Sequence, residues 1–236
     1  MPGEMVPVAA TDGRSFAAYS AVPDTPNGAG LVILPEVYNV NRWVRGLADH
    51  YAGMGYAALV PDLFWRQEPG AHSDYTDPER ARALGAAIDV DAGVGDVGCC
   101  AALLRGRLGT SAGVGVIGFC LGGRLAFLAG IRQPVDAVVT YYAVQLDRHL
   151  DEAPRLARPT VMHFAGTDPW APPETVDALR RLYAGRDDVA IHVYPGTGHG
   201  FARNGYPPHD HAAADLAEQR TLQLLERVLP DRAEVL

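Results

Sequence analysis

Lysine is absent from this chain, and all 20 of its basic residues are arginine. A Schiff base on a lysine amine and the lysine of a Walker A phosphate loop are both impossible, which removes several large enzyme classes. Nor do the arginines form a basic run. Against 28 acidic side chains the formal net charge is −8, so the footprint of a nucleic-acid binder is missing and the acidity mainly favours solubility. No apolar stretch approaches the length of a bilayer crossing, and residues 1–10 lack the basic-then-apolar order of an export signal. No membrane partner and a cytoplasmic location are expected. Cysteine is scarce as well. Cys99, Cys100 and Cys120 make an odd count, and an adjacent pair cannot close a disulfide on itself without strain, so a reducing compartment fits. Cys99 and Cys100 fall in a small-residue helical stretch, where a free cysteine behaves as a small hydrophobe.

What is present is apolar bulk with a rhythm. The 236 residues are 48% hydrophobic with no low-complexity tract, enough for one sizeable core, and a single domain over 1–236 is expected. Short runs rich in Val, Ile and Leu, at 30–34, 56–60, 113–117, 137–142, 160–164 and 190–194, read as buried strands, and 6–21 reads as an antiparallel hairpin. Between them, 40–54, 78–108, 121–131, 173–185 and 211–228 carry helical spacing or composition. Strand and helix in alternation imply an α/β fold, a three-layer sandwich with a mostly parallel sheet covered on both faces. The aperiodic stretch 65–77 reads as a surface loop placed to act as a lid.

The segment Gly118-Phe119-Cys120-Leu121-Gly122 follows an apolar run and opens a helical one. This is the nucleophile-elbow pattern G-x-S-x-G with cysteine for serine: a sharp turn lifts one side chain above the sheet, and a Cβ at the flanking positions would collide with neighbouring backbone. Cys120 is therefore the candidate nucleophile. In this architecture an acid and then a histidine follow in chain order, each just beyond a strand. Asp168, in Gly166-Thr167-Asp168-Pro169, and His199, in Gly198-His199-Gly200, meet both conditions. His163, His192, His209 and His211 lack that placement and read as structural or surface residues; His209 and His211 are too few for a metal site. Glu36, after the first buried strand, stands in the loop that supplies an oxyanion donor, so the backbone N–H groups of Val37 and Leu121 are the candidate oxyanion hole. The chemistry that follows is attack by a thiolate on an ester carbonyl, with an acyl-thioester later hydrolysed by water activated at His199. Neither a metal nor an organic cofactor is called for.

Leu34-Pro35-Glu36-Val37-Tyr38-Asn39-Val40-Asn41, Gly55-Tyr56-Ala57-Ala58-Leu59-Val60-Pro61-Asp62-Leu63, the elbow, Asp89-Val90-Asp91-Ala92-Gly93-Val94-Gly95-Asp96, the Asp168 turn and Gly198-His199-Gly200-Phe201-Ala202-Arg203 together resemble the dienelactone hydrolase family over nearly the whole chain. The resemblance implies a Cys-His-Asp hydrolase of the α/β-hydrolase fold. Such an enzyme opens cyclic enol-lactones such as carboxymethylenebutenolide to maleylacetate in the breakdown of aromatic compounds. It implies that Glu36 takes part in ionising the thiol, and that arginines bind the substrate carboxylate, Arg203 by motif and Arg82, with Arg80 as fallback, from Glu79-Arg80-Ala81-Arg82. Departures from the family pattern fall around the pocket: Asn39 for the usual glycine, Leu84 and Gly85 for larger side chains, and Trp170 after the acid turn. The runner-up is a related esterase or lactonase with another small acyl substrate, and a third reading is a ligand-binding domain that does not turn its ligand over. The partner expected is a small, anionic lactone or ester, with a monomer favoured.

Overall fold

The computed structural model describes residues 3–229. Eight strands form one sheet in the order β1-β2-β4-β3-β5-β6-β7-β8, where β1 is Glu4–Ala9, β2 Ser15–Ala21, β3 Gly30–Leu34, β4 Ala57–Pro61, β5 Val114–Phe119, β6 Ala137–Tyr141, β7 Thr160–Ala165 and β8 Val189–Tyr194. β1 and β2 form the expected hairpin and β2 joins β4 antiparallel; every later pairing is parallel. All residues of β3 to β7 are buried, which is why these strands read as unbroken apolar runs rather than alternating ones.

Six α-helices accompany them among the described residues: α1 Arg42–Gly53, α2 Pro78–Ala86, α3 Val90–Leu108, α4 Leu121–Arg132, α5 Pro173–Leu182 and α6 His211–Val228. α3 and α4 pack side by side against β3 to β6, while α1 and α6 lie on the other face, over β2 and β4 and over β6 and β7 respectively. This is the three-layer α/β sandwich the alternation implies. One expectation is corrected. The stretch 78–108 is two helices, not one, because Asp89 leaves the helical conformation and its carboxylate accepts from the N–H of Ala92 at 3.0 Å, starting a new helix. Asp77 caps the first of the two through the N–H of Arg80 at 3.1 Å, with Pro78 behind it.

Parallel strands all end on the same side, so the loops after β3, β5, β7 and β8 converge at one edge of the sheet. Those loops carry Glu36, Cys120, Asp168 and His199.

Candidate active site

β5 runs into α4 through a single residue, Cys120, at φ 55° and ψ −115°. A non-glycine residue there is strained, and it is held by its surroundings: the Cys120 N–H donates to Tyr141 O at 3.0 Å, and its carbonyl accepts from Arg124 and Val144. The two elbow glycines have no substitute. A Cβ on Gly118 would lie 2.0 Å from Gly122 O, and one on Gly122 would lie 2.2 Å from Leu34 O.

The second contact ties the elbow to the β3 loop, since the Gly122 N–H donates to Pro35 O at 3.1 Å. Val37 and Leu121 thereby come together. Their side chains meet beneath α2, where a Cβ on Gly85 would sit 2.7 Å from Val37 Cγ1 and 3.6 Å from Leu121 Cδ2. Among the described residues neither N–H is seen to donate to a protein acceptor, and that of Leu121 opens α4, at its positive end, directly after Cys120.

Asp168 is wholly buried at its side chain. Oδ2 accepts from His199 Nδ1 at 2.8 Å and Oδ1 from the Trp170 N–H at 2.9 Å. The loops bearing the two residues are laced through Thr197, whose carbonyl accepts from both the N–H and the hydroxyl of Thr167, at 2.9 and 2.8 Å. The Tyr142 ring meets the imidazole edge-on at 5.0 Å. Burial works against a charge on His199, yet the Cys120 sulfur and the Asp168 carboxylate outweigh it and push the imidazole up to about 10. A group held protonated in the fold up to about 10, but released near 6.5 in the open chain, gives stability that is complete below pH 6.5 and is lost as pH rises through about 10. Asp168→Asn removes one of the two raising partners while keeping the shape. The His199 titration, followed by the ring proton resonances, is expected to drop by about one to three units. An unmoved midpoint would show that Asp168 does not govern the imidazole.

Glu36 is 2% exposed and lies against Arg203, which donates Nε to Oε2 at 3.0 Å and Nη2 to Oε1 at 2.9 Å. The guanidinium lies 4.5 Å from the centre of the Tyr75 ring and 5.7 Å from that of Tyr38. Burial disfavours the Arg203 charge, and Glu36 more than restores it, holding the guanidinium above its ordinary value. Gly200, at φ 88°, makes room: a Cβ there would lie 2.8 Å from Arg203 Nη2. The arginine expected to meet a substrate carboxylate is thus already engaged by the glutamate expected to act on the thiol.

The other arginines differ in freedom. Arg80 is paired with Glu68, whereas Arg82 is exposed, makes no ion pair among the described residues, and lies within electrostatic range of Tyr38. It stands one turn ahead of Gly85, which roofs Val37 and Leu121.

A polar cluster that sequence reasoning missed fixes the floor of the 65–77 loop. Asn39, at φ 56°, donates to Asp62 Oδ1 at 2.6 Å and to Ala71 O at 2.7 Å, and accepts from the Leu63 N–H; Asp62 in turn accepts from Phe64 and Gly70. Asparagine tolerates that left-handed conformation better than most residues, so it can hold this turn and add three hydrogen bonds. The signal was present in Pro61-Asp62, an acid directly after a buried strand.

Cys100 is buried, and Cys99 is partly buried beside it. His163 is buried between Tyr194 and Thr221, at 2.8 and 3.1 Å, and burial keeps it well below its ordinary value. No group of three or more metal-ligating side chains is assembled among the described residues, and none of their helices is long and apolar enough to cross a membrane.

Comparison with known proteins agrees with this architecture. A model of the dienelactone hydrolase family matches residues 16–229. Carboxymethylenebutenolidase 1 of Cupriavidus pinatubonensis is 33% identical over 228 residues, covering 95% of this chain and 97% of its own. An Azospirillum brasilense protein provisionally named carboxymethylenebutenolidase is 38% identical over 229 residues, covering 95% and 98%. A crystal structure from Klebsiella pneumoniae subsp. pneumoniae, provisionally named a dienelactone hydrolase, superposes with a TM-score of 0.84 at 24% identity, covering 95% and 98%.

Proposed function

We propose, from the premise that this chain belongs to the dienelactone hydrolase family and is a hydrolase of lactones or esters, that it opens a small anionic enol-lactone by covalent catalysis at Cys120. The carrying observation is the 2.8 Å bond between His199 Nδ1 and Asp168 Oδ2 at the sheet edge that also carries the strained Cys120 turn, where the carboxylate and the sulfur favour a protonated His199. The thiolate attacks the lactone carbonyl, and the developing oxyanion is received by the N–H groups of Val37 and Leu121. The ring C–O bond breaks and the leaving enol oxygen takes the proton that His199 holds. An acyl-thioester remains on Cys120. Neutral His199 then accepts a proton from water as it attacks, and collapse of the second tetrahedral state returns the thiolate. Asp168 keeps the imidazole in the tautomer that presents its other nitrogen to the reaction.

The substrate expected is the dienelactone that the relatives' name, carboxymethylenebutenolidase, denotes, opened to maleylacetate by one domain spanning 1–236 in the cytoplasm. Arg82, exposed and without an ion pair among the described residues, is the contact proposed for the substrate carboxylate, with Arg203 as the second. The test is kcat/KM for cis- and trans-dienelactone beside a neutral activated ester of similar size, on reduced enzyme and on Arg82→Ala and Arg80→Ala. A strong preference for dienelactone that Arg82→Ala erodes by about tenfold, through KM and with the neutral ester unaffected, is the expected result. Turnover of the neutral ester alone would keep the hydrolase and reject the lactone. The engagement of Arg203 by Glu36 is the observation that favours that second reading, an esterase or lactonase for another small acyl group.

A further inference from the structure

Between α1 and α6 lies a cavity of about 470 Å³ that contains none of Cys120, Asp168 or His199. Residues 43, 46, 47 and 50 of α1 face residues 211, 214, 215 and 218 of α6, each set spaced as one side of a helix. Small residues, Gly46 and Ala214, border it, and a Cβ on the exposed Gly46 would meet nothing within 4 Å.

Its walls are aromatic. Phe119 and Tyr141, stacked at 4.7 Å, lie at the base, and Trp43 stands edge-on to Phe119 at 5.0 Å. His50 Nε2 and Glu218 Oε1, 2.6 Å apart, form one further stretch of wall and neutralise each other there. The polar side chains left at its accessible surface are Arg42, Asn204, Tyr206, His209, His211 and Asp215. Arg42 makes no ion pair among the described residues, and the His209 and His211 rings lie 4.7 Å apart. Among the described residues, hydrogen-bond donors of this lining outnumber its one carboxylate without an ion pair, Asp215. A flat apolar body with one acidic edge fits such a lining, and the volume falls in the range of small-molecule sites.

We infer that the α1–α6 cavity is a second binding site, for a planar aromatic carboxylate whose ring lies against Trp43, Phe119 and Tyr141 and whose acid group meets Arg42. Three of its wall residues are the chain neighbours of residues in the catalytic region: Phe119 precedes Cys120, Tyr141 precedes Tyr142, which touches His199, and Ala202 precedes Arg203. The site is separate from the nucleophile yet built on the same strand ends.

The probe is 2-naphthoate, titrated calorimetrically into the full chain. Wild type is expected to bind at one site. Gly46→Phe projects a ring from a position where a Cβ meets nothing within 4 Å and is expected to weaken binding by at least about tenfold, while Gly46→Ala, the control for the helix, stays within about twofold. Arg42→Ala is expected to weaken 2-naphthoate but not 2-naphthol. Saturating 2-naphthoate should leave KM for a neutral activated ester unchanged. The inference is overturned if wild type shows no saturable binding, if Gly46→Phe binds as wild type does, or if 2-naphthoate raises that KM competitively, since the ligand would then occupy the catalytic pocket. Circular dichroism confirms that each variant is folded.

Discussion

Cys120→Ala is expected to lower turnover of any ester substrate by roughly 10⁴-fold or more, the scale seen when the nucleophile of a triad is removed. The fold should survive, because only one sulfur atom is lost from this buried position and the strained backbone at φ 55° is set by neighbours that alanine leaves in place: the bond to Tyr141 O, the two acceptor contacts of its own carbonyl, and the glycines at 118 and 122. Alanine is no better suited to that conformation than cysteine, and no worse. The variant also removes the sulfur that helps hold the His199 proton, so the imidazole should titrate below the wild-type midpoint of about 10. Three readouts bear on one substitution: steady-state turnover, mass spectrometry for an acyl adduct of an activated ester on the wild type but not on the variant, and the thermal midpoint. Turnover within about tenfold of wild type, in a preparation free of wild-type enzyme, would remove Cys120 from the mechanism and with it the thioester.

How much of this was legible in advance follows from where each signal lies along the chain. Strands buried on both faces announce themselves as unbroken apolar runs, so β3 to β7 could be placed within a residue or two. The elbow was legible because its constraints are local: strand, turn and helix lie within ten residues, and the glycines at 118 and 122 are demanded by contacts that the turn itself creates. The division at Asp89 was not, since an aspartate inside a helical pattern reads equally as a surface residue or as a cap, and only its bond to Ala92 decides. The pairing of Glu36 with Arg203 spans 167 positions, and nothing in either motif points to the other. Reading them separately gives each a role toward thiol or substrate, whereas the fold turns them first toward each other. The same holds for Asn39 and Asp62, and for the α1–α6 cavity, where two ordinary amphipathic faces meet around a glycine and an alanine.

Glu36→Ala is expected to cost about 3–5 kcal/mol of stability, a fall of roughly 6–20 °C in thermal midpoint for a chain of this size. The reason is asymmetry. Arg203 is 11% exposed at its side chain and its charge is supported by hydrogen bonds from Nε and Nη2 to Glu36, so removing the carboxylate leaves an uncompensated cation where water enters poorly. The pair itself need not be stabilising, because desolvating two ions costs nearly what their attraction returns. Removing both, in Glu36→Ala with Arg203→Ala, should therefore be milder than the sum of the single variants, and the difference measures the coupling. A wild-type midpoint in Glu36→Ala would show that Arg203 finds water or another partner and that the pair is dispensable. The coupling also bears on the substrate. A carboxylate that draws Arg203 away must offset what Glu36 loses, so a coupling of several kcal/mol keeps Arg203 on Glu36 and leaves the anion to Arg82. A coupling near zero frees Arg203 to turn, and makes the exchange of one carboxylate for another at a single guanidinium the step by which an anionic substrate releases Glu36 toward the thiol.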